Sequence, residues 1–208
     1  MIAIIDYGVG NLFSLSSSLK SIGQDAVVTG DEKVIRSADK VILPGVGAFG
    51  DAANKLRATG LDRTVVGLAK EGRPLLGICL GMQLLLGGSD EFGAHRGLGL
   101  INGEARYIGG AIEKGLKIPH MGWNALHFTK ACPIFKYINE GEYVYFVHSY
   151  HGEGCFDDVA ATVEYGGTLT AAVSRSNVFG CQFHPEKSGD AGLRILKAFC
   201  ELKENELC

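Results

Sequence analysis

A cysteine between two glycines opens the chemistry of this sequence. In Gly77-Ile78-Cys79-Leu80-Gly81 an apolar run ending at Cys79 meets an apolar, helix-compatible run that begins at once. The spacing matches the sharp strand-to-helix turn that displays a nucleophile in hydrolases, with Cys in place of Ser, and a helix N-terminus favours thiolate over thiol. Gly77 and Gly81 leave room for such a turn. A free cysteine that merely fills the core fits the same pattern, so Cys79 must be judged by its partners. A thiol nucleophile needs a base, and the base needs an orienting group. Phe183-His184-Pro185-Glu186 offers both: His184 and Glu186, two apart in an extended stretch, share one face, and Pro185 restricts the backbone between them. An exposed His and Glu in an ordinary turn is the plainer alternative. The remaining need is a pair of donors for an oxyanion, and the N–H groups of Leu80 and Val46 are the candidates, Val46 being bracketed by Gly45 and Gly47 in "ILPGVGAFG". That loop also reads as a glycine-rich turn or a phosphate-binding loop. It matches G-x-G-x-x-G, but no acidic residue about 20 positions on ends a second strand, so the dinucleotide reading is set aside.

These residues must be carried by strand ends, and the pattern supplies them. "IAIID" reads as a buried strand, and "NLFSLSSSLKSIG" as a helix with Leu12, Leu15, Leu19 and Ile22 on one stripe, Asn11 as N-cap and Gly23 as terminator. "DAVVTG", "KVILPG" and "RPLLGIC" are further short apolar runs, with helices expected over Ala52 to Arg57, Leu61 to Lys70 and Met82 to Leu86. The first half is therefore a parallel α/β layer. In an open α/β sheet ligands bind beyond the carboxyl ends of the strands, which is where Cys79 falls. After about Gly97 come short strands: "GEARYI", "WNALHF", "EYVYFVHSYH", "VAATVEYGG", "TLTAAVSRS" and "VFGCQFHPE". An amphipathic helix from Gly189 to Lys203 closes the chain. No repeat or linker interrupts it, and residues 1–208 are expected to form a single domain.

Composition narrows the function classes. With 208 residues, 46% hydrophobic and 21% charged, the chain can bury a sizeable core, and a net charge of −3 with dispersed Lys and Arg gives no footprint for nucleic acid or anionic membrane. No apolar run approaches the roughly 18 residues that span a bilayer, and "MIAIIDYGVG" lacks a basic leader, so a cytoplasmic protein is expected. The six cysteines show no paired spacing and read as reduced. No CxxC, HExxH or zinc-ligand cluster occurs, and His148 and His151, three apart in a strand, face opposite ways. No metal and no cofactor is expected.

Taken together, "PGVG" (44–47), "GICLGMQLL" (77–85) and "FHPE" (183–186), in this order over nearly the whole chain, resemble the class I, triad-type glutamine amidotransferases. "IDYGVGNL", "PHMGWN" (119–124), "YFVHSY" (145–150) and the Lys-Ser after "FHPE" further resemble the glutaminase subunits of imidazole glycerol phosphate synthase in histidine biosynthesis. The resemblance implies a flavodoxin-like α/β fold with a central, mostly parallel sheet, flanking helices and a strand-rich second half. It implies that Cys79 attacks the carboxamide of L-glutamine, that His184 protonates the departing ammonia and later activates water, and that Glu186 orients His184. Val46 and Leu80 would hold the oxyanion, while Gln83 and the backbone around Gly47, Ser149 and Tyr150 would bind glutamine. The implied partner, in a heterodimer, is the (β/α)8-barrel cyclase/synthase subunit, which takes up the ammonia and makes imidazole glycerol phosphate and an aminoimidazole carboxamide ribotide. Met121, Trp123, Asn124, Tyr145 and Lys187 would face it, with Lys187 paired to an acidic residue of the barrel.

Other readings remain open at this point. An anthranilate-type or pyridoxal-phosphate-synthase-type glutaminase would share the triad, but "GVG" stands where the first would carry Gly-Pro-Gly and the second "GGES". A cysteine protease or esterase uses the same Cys-His-Glu logic, and a silent binding subunit would not need all three residues. The Val46 peptide, free to turn between two glycines, is expected to leave the oxyanion hole one donor short until the loaded partner docks, with Asn11 positioned to hydrogen-bond the loop.

Overall fold

The computed structural model describes residues 1–203. Its strands are β1 Ile2–Ile5, β2 Ala26–Thr29, β3 Lys40–Gly45, β4 Leu75–Cys79, β5 Gly88–Ser89, β6 His95–Arg96, β7 Glu104–Tyr107, β8 His120–Ala125, β9 His127–Phe128, β10 Tyr143–His148, β11 Tyr150–Glu153, β12 Val159–Glu164, β13 Thr168–Arg175 and β14 Val178–Cys181. Its helices are α1 Leu12–Ser21, α2 Glu32–Ser37, α3 Phe49–Ala58, α4 Leu61–Lys70, α5 Leu80–Leu85 and α6 Gly189–Cys200. An eight-stranded sheet of order β2-β1-β3-β4-β14-β13-β12-β9 forms the middle layer. β2, β1, β3, β4 and β14 run parallel, and β13, β12 and β9 continue antiparallel.

The continuous apolar runs follow from burial on both faces of this sheet. In β1, Ile2 and Ile4 face the core under α1 and α6, where Leu15, Leu19, Ile195, Leu196 and Phe199 pack. Ala3 and Ile5 face the other core, beneath α3 and α4 with Phe49, Leu56, Val65 and Leu68. Register then places the chemistry. Gly45 at the end of β3 pairs with Cys79 at the end of β4, and Ile78 pairs with Cys181 at the end of β14. Three carboxyl ends, carrying "PGVG", Cys79 and the run into "FHPE", thus lie side by side at one edge of the sheet. There are two smaller sheets, β10-β8 and β11-β7-β5-β6, and Val147 and His148 of β10 and Tyr150 of β11 line a cleft with Cys79.

Several elements differ from the sequence reading. α2 was not expected, although Asp31 caps it by accepting the Lys33 and Val34 N–H groups. α3 begins three residues before Ala52, and α5 begins at Leu80, directly after the thiol, without the two-residue lead expected before Met82. Asn11 makes no side-chain capping bond, its φ and ψ of −88° and 63° lying outside the extended geometry of a good N-cap. "WNALHF" divides after Ala125 because β8 and β9 join different sheets, and "EYVYFVHSYH" divides at Ser149 for the same reason. α6 stops at Cys200, short of Lys203. Among the described residues no helix is long and apolar enough to cross a membrane.

Candidate active site

Cys79 carries the strain of the turn itself. Its φ of 55° and ψ of −114° lie where non-glycine residues rarely go, a conformation costing of order 1–3 kcal/mol and typical of functional positions. The flanking glycines serve close approach and not left-handed geometry. A Cβ on Gly81 would lie 1.9 Å from the Leu43 carbonyl oxygen, and one on Gly77 would lie 2.7 Å from the Gly81 oxygen. α5 therefore leaves β4 pressed against the backbone of β3, next to the loop of Val46 and Gly47.

His184 follows β14 in extended geometry, and the chain then enters a short 3-10 turn over Pro185–Lys187. This turn, not a shared strand face, brings the carboxylate back onto the ring: His184 Nδ1 and Glu186 Oε1 are 2.8 Å apart, with side chains only 3% and 2% exposed. The sequence expectation had the pairing right and its geometry wrong. His184 is also anchored through its backbone, donating its N–H to the Tyr145 carbonyl at 3.0 Å. Ser188 Oγ clamps the two segments, donating to the His184 carbonyl and accepting the Tyr145 N–H. Burial alone would push the His184 pKa down, but hydrogen bonds to Cys79 and Glu186 and the charges of both carry it up to about 10. At neutral pH the ring is an imidazolium between the Cys79 sulfur and the Glu186 side chain.

Cys79 and His184 open onto a cleft of about 320 Å³ lined also by Val46, Gly47, Leu80, Gln83, Glu91, Ser149 and Tyr150. One thiol and one charged imidazole in a cleft of this size suit attack on a small polar carbonyl compound. No group of three or more His, Cys, Asp or Glu placed to hold a metal ion occurs among the described residues.

Comparison with known proteins decides the family. Residues 3–202 match the family model "Glutamine amidotransferase class-I". Imidazole glycerol phosphate synthase subunit HisH of Syntrophotalea carbinolica is 50% identical over 97% of this chain and 100% of its own length. The subunit of the same name from Methanothermobacter thermautotrophicus is 49% identical over 97% and 98%. The chain belongs to the class I glutamine amidotransferases. Within them it is a member of the HisH family, the glutaminase subunits of imidazole glycerol phosphate synthase in histidine biosynthesis. Among solved structures, a glutamine amidotransferase superposes with a TM-score of 0.74 at 18% identity, covering 96% of this chain and all of the other. PurLQS from Thermotoga maritima gives 0.74 at 20%, covering 96% of each chain. At such identities these two speak for the fold.

Further detail of this amidotransferase cleft lay beyond sequence reasoning. Gln83 reaches the cleft, but its amide N–H groups are committed, to the Tyr150 carbonyl at 3.1 Å and to Gln182 Oε1 at 3.0 Å. The Tyr150 carbonyl also accepts from His148 Nδ1 at 2.8 Å, so it is occupied twice over. Gln182, fully buried, points its Nε2 at Cys79 Sγ, 3.8 Å away. Two residues before His184, it lay within reach of an alternation argument. Glu91 lines the cleft from the irregular stretch after β5, where no periodicity marks it, and its Oε2 accepts the Phe49 N–H at 2.6 Å. Asn11 makes no side-chain hydrogen bond to the 45–47 loop; Tyr7, buried nearby, instead donates its hydroxyl to the Pro44 carbonyl at 2.8 Å. Burial, then the neighbouring Cys79 charge, hold the Tyr7 pKa above its ordinary value.

The residues expected to face a partner divide by strand face. β8 and β10 pair antiparallel with Trp123 opposite Tyr145 and Met121 opposite Val147. Met121 is 60% exposed, Trp123 52% and Tyr143, which sequence reasoning passed over, 60%. Trp123 meets Tyr145 edge-on at 5.9 Å, and exposed Lys187 adjoins this face through Ser188. Asn124 falls on the inward face with His120 and His148, because alternate residues of a strand point opposite ways.

Proposed function

We propose that Cys79, as thiolate, attacks the carboxamide carbon of L-glutamine while the Val46 and Leu80 N–H groups receive the developing oxyanion. The imidazolium of His184 gives its proton to the leaving nitrogen, so ammonia departs and a γ-glutamyl thioester remains on Cys79. Neutral His184 then takes a proton from water, whose oxygen attacks the thioester, and glutamate leaves as the thiolate–imidazolium pair re-forms. Glu186 holds the ring orientation and its charge throughout. Glu91, a carboxylate at the cleft wall, suits the α-ammonium of glutamine, with Gln83, Gly47, Ser149 and Tyr150 shaping the rest of the site. The observation that carries this reading is the buried His184–Glu186 pair at 2.8 Å in the cleft that Cys79 enters.

The ammonia is delivered to a (β/α)8-barrel synthase subunit docked on the face of exposed Met121, Trp123 and Tyr143 and half-buried Tyr145, aromatic and thioether side chains of the kind that anchors interfaces. The chain acts as one domain in the cytoplasm, as half of a heterodimer making imidazole glycerol phosphate. The test measures glutamate release by the chain alone, with the barrel subunit, and with barrel plus nucleotide. The expected rise on full loading is at least about a hundredfold, the smaller cost of one missing oxyanion donor. Equal rates in all three mixtures would contradict a gated site. Cys79→Ala should abolish glutamate release while the complex still makes product from ammonium.

A further inference from the structure

Three side chains that the mechanism leaves unused form an unbroken chain from the cleft to the strand bearing the exposed aromatic face. His148 Nδ1 meets the Tyr150 carbonyl at 2.8 Å, His148 Nε2 meets His120 Nδ1 at 2.9 Å, and His120 Nε2 meets Asn124 Oδ1 at 2.8 Å. Asn124 Nδ2 then donates to the Glu164 carbonyl at 3.2 Å. His120 is fully buried, stacked between Phe146 and Tyr165, and His148 is almost as deep. We propose that His148, His120 and Asn124 are positioning residues, a relay through which the β8 strand sets the Tyr150 carbonyl and thereby Gln83, the residue that carbonyl holds in the cleft.

Proton counting gives the relay two states. Both ends are backbone carbonyls, which only accept. Closing every junction therefore takes three ring N–H groups: one toward Tyr150, one between the rings and one toward Asn124 Oδ1. Two neutral imidazoles carry only two, so the closed chain holds one additional proton from solvent. The titratable groups facing the pair are His151 and His184 on the His148 side and Tyr165 on the His120 side. Burial, then repulsion from His120, His151 and His184, outweighs the Tyr150 bond and drops His148 to about 3, and burial likewise lowers His120. With the pair neutral, Asn124 must turn its amide so that Nδ2 donates to His120 Nε2, and the carbonyl of Glu164, an exposed residue, is released to water. Were Asn124 to keep its Oδ1 on His120 Nε2 with the pair neutral, one junction, at Tyr150 or between the two rings, would open, so the amide direction at Asn124, beside Trp123, is tied to the hydrogen bonding along the chain.

The inference rests on the glutamine-site reading, but its first test does not. Nitrogen-15 histidine NMR of the full chain at neutral pH should show His148 protonated at Nδ1 and bare at Nε2, and His120 protonated at Nδ1. A His148 proton on Nε2 alone overturns the relay, whatever the cleft binds. Asn124→Asp, which fixes an acceptor on His120 Nε2, should render the pair cationic at neutral pH; an unchanged proton count also overturns it. In the complex, His120→Phe, which keeps the ring stack, should raise the KM for glutamine about tenfold, the scale of one lost hydrogen bond, and leave ammonium-dependent synthesis unchanged. An unchanged KM counts against the relay. Asn124→Ala, at a half-buried position, gives the same reading if His120→Phe does not fold.

Discussion

Replacing Gly81 by alanine should silence the site while leaving the protein folded. The added Cβ would lie 1.9 Å from the Leu43 carbonyl oxygen and 2.9 Å from its carbon, backbone atoms of β3 that no rotamer change can move. Real Cβ contacts essentially never fall under 3.0 Å, so α5 and β3 must part by at least 3.0 − 1.9 = 1.1 Å. That displacement falls between the two halves of the proposed oxyanion site, since Leu80 begins α5 and Gly45 ends β3. A misplacement of about 1 Å can cost on the order of a hundredfold in rate. Overpacking of a core costs about 1–3 kcal/mol. At this chain length that is a fall of roughly 2–12 °C in Tm. Glutamate release in the loaded complex and calorimetry of the isolated chain read the two effects separately. Gly110→Ala, whose Cβ would meet nothing within 4 Å, is the control and should alter neither. Wild-type glutamine turnover in Gly81→Ala would refute the claim that this contact sets the elbow.

Other outcomes follow from the same geometry. Glu186→Gln removes the charge that holds His184 as imidazolium and should lower glutamine turnover by up to about 10⁴, read in a steady-state glutaminase assay. The raised pKa of His184 has a definite sign: its contribution to stability is fully present below 6.5 and is lost as pH climbs through about 10. Ring NMR should accordingly find His184 still charged at pH 8, and its pKa should fall in Cys79→Ala because the thiolate partner is gone. Lys187→Ala should reduce glutamine-dependent synthesis more than ammonium-dependent synthesis, and equal losses would reduce the residue to a docking contact. Cys155 and Cys200 are pushed up to about 12, chiefly by burial, and Cys181 is raised as well, so thiol alkylation at pH 8 should spare all three. Replacing these together with Cys132, and with Cys208, which lies outside the described residues, should leave activity largely intact.

What could be read from the sequence was what local pattern encodes. Cys79, Val46 with its glycines and His184 each stand at the end of an apolar run, and a parallel sheet gathers such ends, so the site could be assembled before register was known. α4 was legible to the residue because its apolar stripe and Gly60 mark it. The failures arise where tertiary neighbours decide. Glu186 reaches His184 through a turn that a strand argument does not contain. That Trp123 and Asn124 point to opposite faces follows from alternation along one strand, but the His120–His148 bond exists only in the β8–β10 register, which no single strand specifies. Glu91 and Tyr7 act on segments remote in sequence, through a loop and a buried hydroxyl that carry no periodic signal.

The most direct measurement traps the intermediate. The loaded complex is mixed with isotopically labelled L-glutamine, quenched in acid within one turnover, digested and analysed by mass spectrometry. A γ-glutamyl thioester should appear on the peptide containing Cys79 and be absent from Cys79→Ala. Label on another cysteine, or full turnover with no label on Cys79 at any quench time, would contradict the account.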